Sequence, residues 1–163
     1  MDALRQLFES MGLNNVETFI ASGNVSFTTA ARKTASVEQK IEAQLHAALG
    51  YEVATFVRTV PEVLAVAQHM PFPEAEFAAG AEQYISFLRA RPDIETERKM
   101  LALNNSIDEF HFHQRELYWL RRRQLGESTY GGAFVERTLK AAATARTATT
   151  VRKIAAKYQM EEK

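Results

Sequence analysis

Apolar positions along the first seventy residues change spacing several times, and each change predicts an element. Helical stripes recur every three or four residues, whereas two β-rich runs flank Gly23 and Asn24, residues that tolerate the positive φ of a tight hairpin turn. Gly12 and Gly50 are placed to end the two longer helices. The predicted elements are a helix over 2–11, strands over 16–20 and 24–28, a helix over 36–49 opened by a capping box at Ser36, a strand over 53–58 and a helix to 68.

Pro71 and Pro73 interrupt the pattern and block a regular element between the two halves. We therefore predict an N-terminal subdomain over residues 1–70, a linker over 71–80 and a C-terminal subdomain over 81–163. The second half predicts a strand over 83–90, a helix from the capping residue Asp93 to about 103, a hairpin of strands 107–113 and 116–121, a helix over 133–142, and a last helix capped by Thr149 or Thr150 that runs to 158.

The order of these elements predicts an α+β fold of two small subdomains, each a variant of the ferredoxin-like split βαβ pattern. The first reads α-β-β-α-β-α and lacks its opening strand, while the second reads β-α-β-β-α-α. In this plan the absent strand belongs in the middle of the sheet, so its loss exposes backbone edges. We expect a strand upstream of Met1 to be missing through truncation or a misplaced start, and the open edge could recruit a second copy into a homodimer.

Composition excludes several classes of function. The chain of 163 residues contains no cysteine, which rules out disulfides, thiolate catalysis and cysteine zinc sites. No leading apolar segment resembles a signal peptide and no apolar run is long enough to span a bilayer, so we expect a cytoplasmic protein with no membrane partner. Motifs for nucleotide, zinc-protease or serine-hydrolase chemistry are absent, so no cofactor is predicted and an enzyme is not favoured.

The zero net charge is unevenly placed. Residues 1–114 hold 9 Lys/Arg against 15 Asp/Glu, and residues 115–163 hold 11 against 5. Within the basic part, Arg121, Arg122 and Arg123 follow a strand that carries Tyr118 and Trp119. Arginines beside aromatics can bind phosphates and stack on bases, which gives a nucleic-acid interface as one hypothesis. The alternative is a strand edge protected by charge, and we favour it because no RNP-type aromatic strand accompanies the arginines.

His111 and His113 lie two residues apart on a predicted strand and therefore share a face, with Glu109 one step behind. Two histidines and a carboxylate could begin a metal site. Strand alternation explains the spacing equally well, since Phe110 and Phe112 then face the core and the histidines face solvent. We therefore predict no metal site. His46 and His69 suggest no function.

The residues from Leu4 to Phe27 resemble a bacterial family called domain of unknown function 1697, through the Met11-Gly12-Leu13 helix end and a Ser22-Gly23-Asn24-Val25 hairpin. The resemblance implies two ferredoxin-like α+β subdomains and no known reaction. Family members begin with a strand and a Gly-rich loop, which this chain lacks. At the C-terminus the family's T-T-R-N-W-N-T-V segment is matched by Thr144, Arg146, Thr150 and Val151, without the Asn-Trp-Asn core.

Three hypotheses of function follow. The first is a binding domain for a small anionic or polar ligand, with Ser22, Gly23, Asn24 and Arg146 as candidate ligand-binding residues, although a tight turn needs no ligand to explain it. The second is the nucleic-acid-associated protein described above. The third is an enzyme whose site requires the absent Gly-rich loop.

Overall fold

The computed structural model describes residues 2–19 and 23–161, with side chains described to residue 159. Its contacts divide the chain into two compact units, Met1–Thr59 and Val60–Lys163. The helices of the first unit are α1 (Asp2–Ser10) and α2 (Thr34–Leu49), and its strands are β1 (Asn14–Phe19) and β2 (Asn24–Thr28). The elements of the second unit are α3 (Val60–Gln68), α4 (Glu74–Ala78), β3 (Glu82–Phe87), α5 (Ile94–Leu101), β4 (Asp108–His113), β5 (Glu116–Arg121), α6 (Gly132–Leu139), β6 (Thr144–Thr147) and α7 (Ala148–Glu161).

The second unit is a complete split βαβ unit with added helices. The order β3-α5-β4-β5-α6-β6 builds a four-stranded sheet arranged β4-β5-β3-β6, with every neighbouring pair antiparallel. This is the ferredoxin-like arrangement that the sequence predicts for this half. The hairpin register brings Phe110 opposite Trp119 and His111 opposite Tyr118. Alternate residues of β4 therefore face opposite sides of the sheet.

The two faces of this sheet are covered by different helices. On one face, Phe110, Phe112 and Trp119 pack with residues of α5 and α6 in a continuous apolar core. On the other, the buried Tyr118 donates its hydroxyl to the carbonyl of Val66 in α3 over 3.3 Å, and α7 packs against α3 and β3. The sheet is the middle layer of three, so residues on both of its faces are shielded from water.

The division between the units falls after Thr59, whereas the sequence suggested a boundary at residues 71–80. Helix α3 groups with the second unit because its residues bond to the sheet: Arg115 pairs with Glu62 over 2.8 Å, and Tyr118 binds Val66. The proline-containing stretch lies inside the second unit, where it connects α3 to the one-turn helix α4. The prolines interrupt secondary structure without separating two folding units.

Two features at the C-terminal end were missed. The sequence predicted no strand after α6, yet β6 pairs with β3 along Thr144–Thr147. Its four residues are too short and too polar to show an apolar alternation. The last helix is capped by Thr147, whose hydroxyl accepts the amide of Thr150 over 3.2 Å, and not by Thr149 or Thr150 as predicted. The predicted cap of α5 is confirmed, because Asp93 accepts the amide of Thr96 over 2.8 Å.

The first unit packs α1 and α2 on the β1–β2 hairpin. Its buried core is formed by Phe8, Met11, Leu13, Val16, Val37, Ile41 and Leu45. Most of the predicted apolar stripes of both helices lie in or against this core, but Leu49 at the end of the α2 stripe is 47% exposed. Gly50 ends α2 in the left-handed conformation at φ 82°, also as predicted. The predicted capping box at Ser36 is wrong, since α2 begins at Thr34 after Lys33 and has no side-chain cap.

The predicted strand over residues 53–58 is wrong. These residues have no regular secondary structure, and two of their amides bond to side chains of α2. The amide of Thr55 donates to Glu42 Oε1 over 3.1 Å, and that of Val57 donates to Glu38 Oε2 over 3.2 Å. Glu38 is buried, so its carboxylate takes part of the role that strand carbonyls have in a sheet. The β-rich composition of this stretch suggested a strand, but a strand also requires a partner strand for its backbone bonds.

Candidate functional site

The hairpin turn of the first unit carries the sequence-predicted ligand residues. Gly23 lies in the left-handed region at φ 79°, as its position in the motif predicts. The side-chain amide of Asn24 donates to the carbonyl of Phe19 over 3.1 Å and ties the two strand ends together. Ser22 lies outside the described residues. The turn is therefore held closed by a bond of its own, across the last residue pair of the β1–β2 ladder.

Arg146, the fourth predicted ligand residue, belongs to the second unit. It lies on β6, opposite Ile85 of β3, and it donates to the hydroxyl of Thr144 over 2.7 Å and to the carbonyl of Ala145 over 2.9 Å. Burial lowers the pKa of its guanidinium. The sequence grouped Arg146 with the hairpin residues as one candidate site, but they lie in different units.

The three consecutive arginines of the nucleic-acid hypothesis have separate surroundings. Arg122 donates two bonds to the carboxylate of Glu76, both 3.0 Å long, and a third to Glu109 over 2.6 Å. These bonds raise the pKa of the Arg122 guanidinium, and only 16% of its side chain is exposed. The residue clamps α4 to the edge strand β4. Its charge is compensated within the unit, which weakens its use as a phosphate contact.

Arg121 and Arg123 lie on the other side of the same strand end. The Arg121 guanidinium lies 4.8 Å from the centre of the Trp119 ring, in the geometry of a cation–π contact. Arg123 pairs with Glu82 over 2.9 Å and donates to the Tyr84 hydroxyl over 3.1 Å. Each arginine of the basic triplet makes intramolecular contacts, and nucleic-acid binding stays a prediction.

A cluster of three histidines forms on the opposite face of the second unit. His69, the first residue after α3, stacks on His113 with ring centres 3.7 Å apart and planes within 9°. Its Nε2 lies 3.5 Å from Nε2 of His111, and the two rings are 5.5 Å apart. Tyr118 meets His69 edge-on at 5.1 Å, and Phe72 meets His111 at 6.5 Å. All three imidazoles are half-buried.

This packing lowers the pKa values of His69 and His111. Burial lowers the pKa of His69, and the neighbouring His113 and His111 lower it further. Burial also lowers the pKa of His111, with His113 and Arg91 acting in the same direction and Glu109 opposing them. Burial next to Glu116 raises the pKa of the Tyr118 hydroxyl, so the ring that faces the cluster stays protonated. Neutral imidazoles near neutral pH can accept a proton or donate a lone pair.

Metal binding does not follow from this arrangement. Within residues 2–19 and 23–161, no group of three histidine or acidic side chains is placed to hold a metal ion. The face-to-face stack explains this for the histidines, because parallel rings do not direct their nitrogens to one point. Glu109, which the sequence places beside His111 and His113, is bonded to Arg122.

Sequence reasoning placed two of the three histidines correctly on one strand face and missed the third. His69 lies 42 residues before His111, in a stretch that predicted only a connection. Strand alternation correctly assigned Phe110 and Phe112 to the core. The predicted solvent-facing position of His111 and His113 is wrong, since His69 and Phe72 cover that part of the strand. No local signal in the sequence would have joined them.

The architecture and the hairpin motif together define an α+β protein of ferredoxin-like type with a signature in its first hairpin. The chain belongs to the family described as "Protein of unknown function (DUF1697)", whose model matches residues 1–118. That match confirms the resemblance seen in the first hairpin and reaches into β5.

Comparison with solved structures gives the same fold. The chain is similar to the conserved bacterial protein SP0830 from Streptococcus pneumoniae, with a TM-score of 0.73 and 22% identity over 100% of this chain and 89% of that one. At this identity the likeness concerns the fold alone. No curated protein matches the chain. Among the described residues, no helix combines the length and apolar character needed to cross a membrane.

Proposed function

We propose that this protein is a cytoplasmic, non-enzymatic binding protein that holds a small anion at the turn of its first hairpin. The observation that carries the proposal is the left-handed conformation of Gly23 at φ 79° inside a turn. Backbone amides in such turns form concave nests that bind anions without a charged side chain.

Preorganisation supports this proposal. The bond from the Asn24 side chain to the Phe19 carbonyl joins the two strand ends without a ligand, so binding would not have to bring them together. The bulge between Asn14 and Glu17 lies at the far end of the ladder, and the pairing next to the turn is regular from Glu17 to Phe19. The paired strands hold Phe19 and Asn24 opposite each other at the base of the turn.

The space around Gly23 also supports the proposal. A Cβ built on Gly23 would meet no atom within 4 Å, so the position is open on the side where a ligand would approach. A side chain there would have to adopt a conformation that L residues rarely take. The positive φ thus favours glycine at this position, and no side chain occupies the space beside it.

The test compares two matched glycine variants. Gly23→Ala and Gly50→Ala place the same methyl group at nearly equal φ, 79° and 82°, with no atom within 4 Å in either case. Both should lose a similar stability of about 1 kcal/mol. Inorganic phosphate and sulfate are titrated against each protein at constant ionic strength, and backbone amide chemical shifts are recorded. We expect saturable shifts at Gly23 and Asn24 in the wild type and in Gly50→Ala.

Loss of those shifts in Gly23→Ala alone would support the site. The proposal is refuted if the wild-type amides do not respond beyond a chloride control of equal ionic strength. It is also refuted if Gly23→Ala binds as well as Gly50→Ala, since the turn conformation would then be irrelevant to binding.

A further inference from the structure

The three histidines hold a defined piece of chain. His69 begins the five-residue connection from α3 to α4, which contains Pro71 and Pro73. Within it, Phe72 is only 5% exposed and its ring meets His111 edge-on. Met70 is half exposed, and its sulfur accepts a bond from Arg152 of α7 over 3.9 Å. His69 and Phe72 therefore hold this connection against β4 through their contacts with His113 and His111.

The contacts that His69 makes are compatible with a neutral cluster and poorly compatible with a charged one. Two imidazolium rings stacked at 3.7 Å would place like charges face to face. The pair His69 Nε2 and His111 Nε2, 3.5 Å apart, needs a lone pair on one nitrogen. When both rings are protonated each nitrogen carries a hydrogen, and the contact becomes repulsive.

We propose that His69 and His111, with the His113 ring stacked on His69, form a proton-operated latch, which docks the α3–α4 connection on the sheet when the rings of His69 and His111 are neutral and releases it when they are protonated. The proposal stands on the geometry of the cluster and is independent of the anion site in the first unit. Release would uncover Phe72 and the strand face of His111 and His113, which gives the protein a surface that depends on pH.

The charged groups around the cluster do not cancel this effect. From β4, Glu109 favours protonation of His111, but its carboxylate is bonded to Arg122. From the connection between β3 and α5, Arg91 opposes protonation of His111.

The remaining neighbours belong to three elements. From β5, Tyr118 stays neutral, with Glu116 beside it as the cause of its raised pKa after burial. From α3, Glu62 is bonded to Arg115. From α7, Arg152 contributes a positive charge next to Met70. Of the three carboxylates, Glu109 and Glu62 are bonded to arginines. Glu116 is buried opposite His113 in the β4–β5 register and is not among the causes that shift the pKa of His69 or His111.

The sign of the pH dependence follows from the lowered pKa values of His69 and His111, whose ordinary value is 6.5. The docked state binds fewer protons than the released state between those lowered values and about 6.5. Docking is therefore fully favoured above pH 6.5 and weakens as the pH falls through that range. Each unit by which a pKa is lowered changes the docking equilibrium by about tenfold.

Hydrogen exchange measured by mass spectrometry tests the latch directly. Peptides covering residues 69–77 are compared with peptides from α2 at pH 7.5 and 5.5, in buffer containing EDTA and after correction for the intrinsic exchange rate. We expect exchange of the first set to rise at the lower pH and that of α2 to stay constant. His69→Gln should exchange fast at both pH values. His46→Gln is the matched control because His46 is exposed on α2, and it should behave as the wild type.

A second measurement tests the proposal independently in case His69→Gln alters the packing. The ring protons of His69 and His111 are titrated by NMR in the wild type and in His113→Gln. Removing His113 removes a cause of both lowered pKa values, so both midpoints should rise. The latch is overturned if the midpoints do not move, or if exchange at residues 69–77 has the same pH dependence in His69→Gln as in the wild type. A pH response that appears only after Zn²⁺ is added in place of EDTA would also overturn it.

Discussion

Replacing Asp108 by alanine should destabilise the second unit strongly. Asp108 is 1% exposed and lies at the start of β4. Its carboxylate accepts the indole N–H of Trp119 over 2.8 Å and the hydroxyl of Ser128 over 2.8 Å, and Arg121 Nε lies 4.0 Å away. One buried carboxylate thus links the central strand, the edge strand and the loop that precedes α6.

The magnitude follows from the groups left behind. Without Asp108, the Trp119 N–H is buried with no acceptor, which costs about 1–3 kcal/mol. Ser128 keeps a partner because its hydroxyl also accepts the amide of Tyr130 over 3.1 Å, so losing the bond from Ser128 to Asp108 costs less. With the cavity left by the side chain, the total should be about 3–4 kcal/mol for Asp108→Ala. Asp108→Asn keeps an acceptor for the indole and should cost about 1 kcal/mol.

Urea unfolding followed by tryptophan fluorescence suits these variants, because Trp119 is the single tryptophan of the chain and lies inside the affected network. A double-mutant cycle with Trp119→Phe, followed by circular dichroism, isolates the bond between the two residues. We expect a coupling of about 1.5–3 kcal/mol, the range for a hydrogen bond to a charged group. Additive effects within about 0.5 kcal/mol would refute the assignment of the cost to this bond.

Three further changes test the fold. Ile41→Ala in α2, at a site 1% exposed, should cost about 2–5 kcal/mol by urea unfolding, and a smaller loss would mean that the first core collapses around the gap. Asp93→Ala removes the cap bond to Thr96 and should cost about 1 kcal/mol, whereas an unchanged midpoint would contradict the cap. Arg122→Ala should destabilise more than Arg5→Ala, whose pair with Glu9 is half exposed at 3.8 Å, and equal losses would contradict the clamp on α4.

Local patterns predicted most of the elements. The bounds of β2 and β5 agree with the predicted strands 24–28 and 116–121, and the helix stripes of the first unit agree with its core. These elements were predictable because each carries its own signal: an apolar period, a capping side chain or a glycine with positive φ. Asp93 and Gly50 show this most directly, because each caps its helix as predicted, through a bond to a residue three or four positions away.

The elements that were missed depend on partners distant in sequence. Residues 144–147 form strand β6 only because β3 pairs with them. Residues 53–58 form no strand despite their β-rich composition, because they bond to side chains of α2. The histidine cluster was missed for the same reason. His69 contacts a strand whose His111 lies 42 residues later in the sequence.

The sequence by itself determined the α+β class, most of the helices and strands, the membership in the family and most of the residues that face each core. Periodicity and caps act over a few residues, so they can be interpreted without knowing the rest of the chain. Only the tertiary structure decided that α3 belongs with the second unit. It also decided that Arg122 pairs with two carboxylates and that three histidines meet on one face of the sheet. These contacts join residues that are far apart in the sequence and meet only when the helices cover the sheet. Such contacts produce no periodic pattern in the sequence, so they could not be predicted from it.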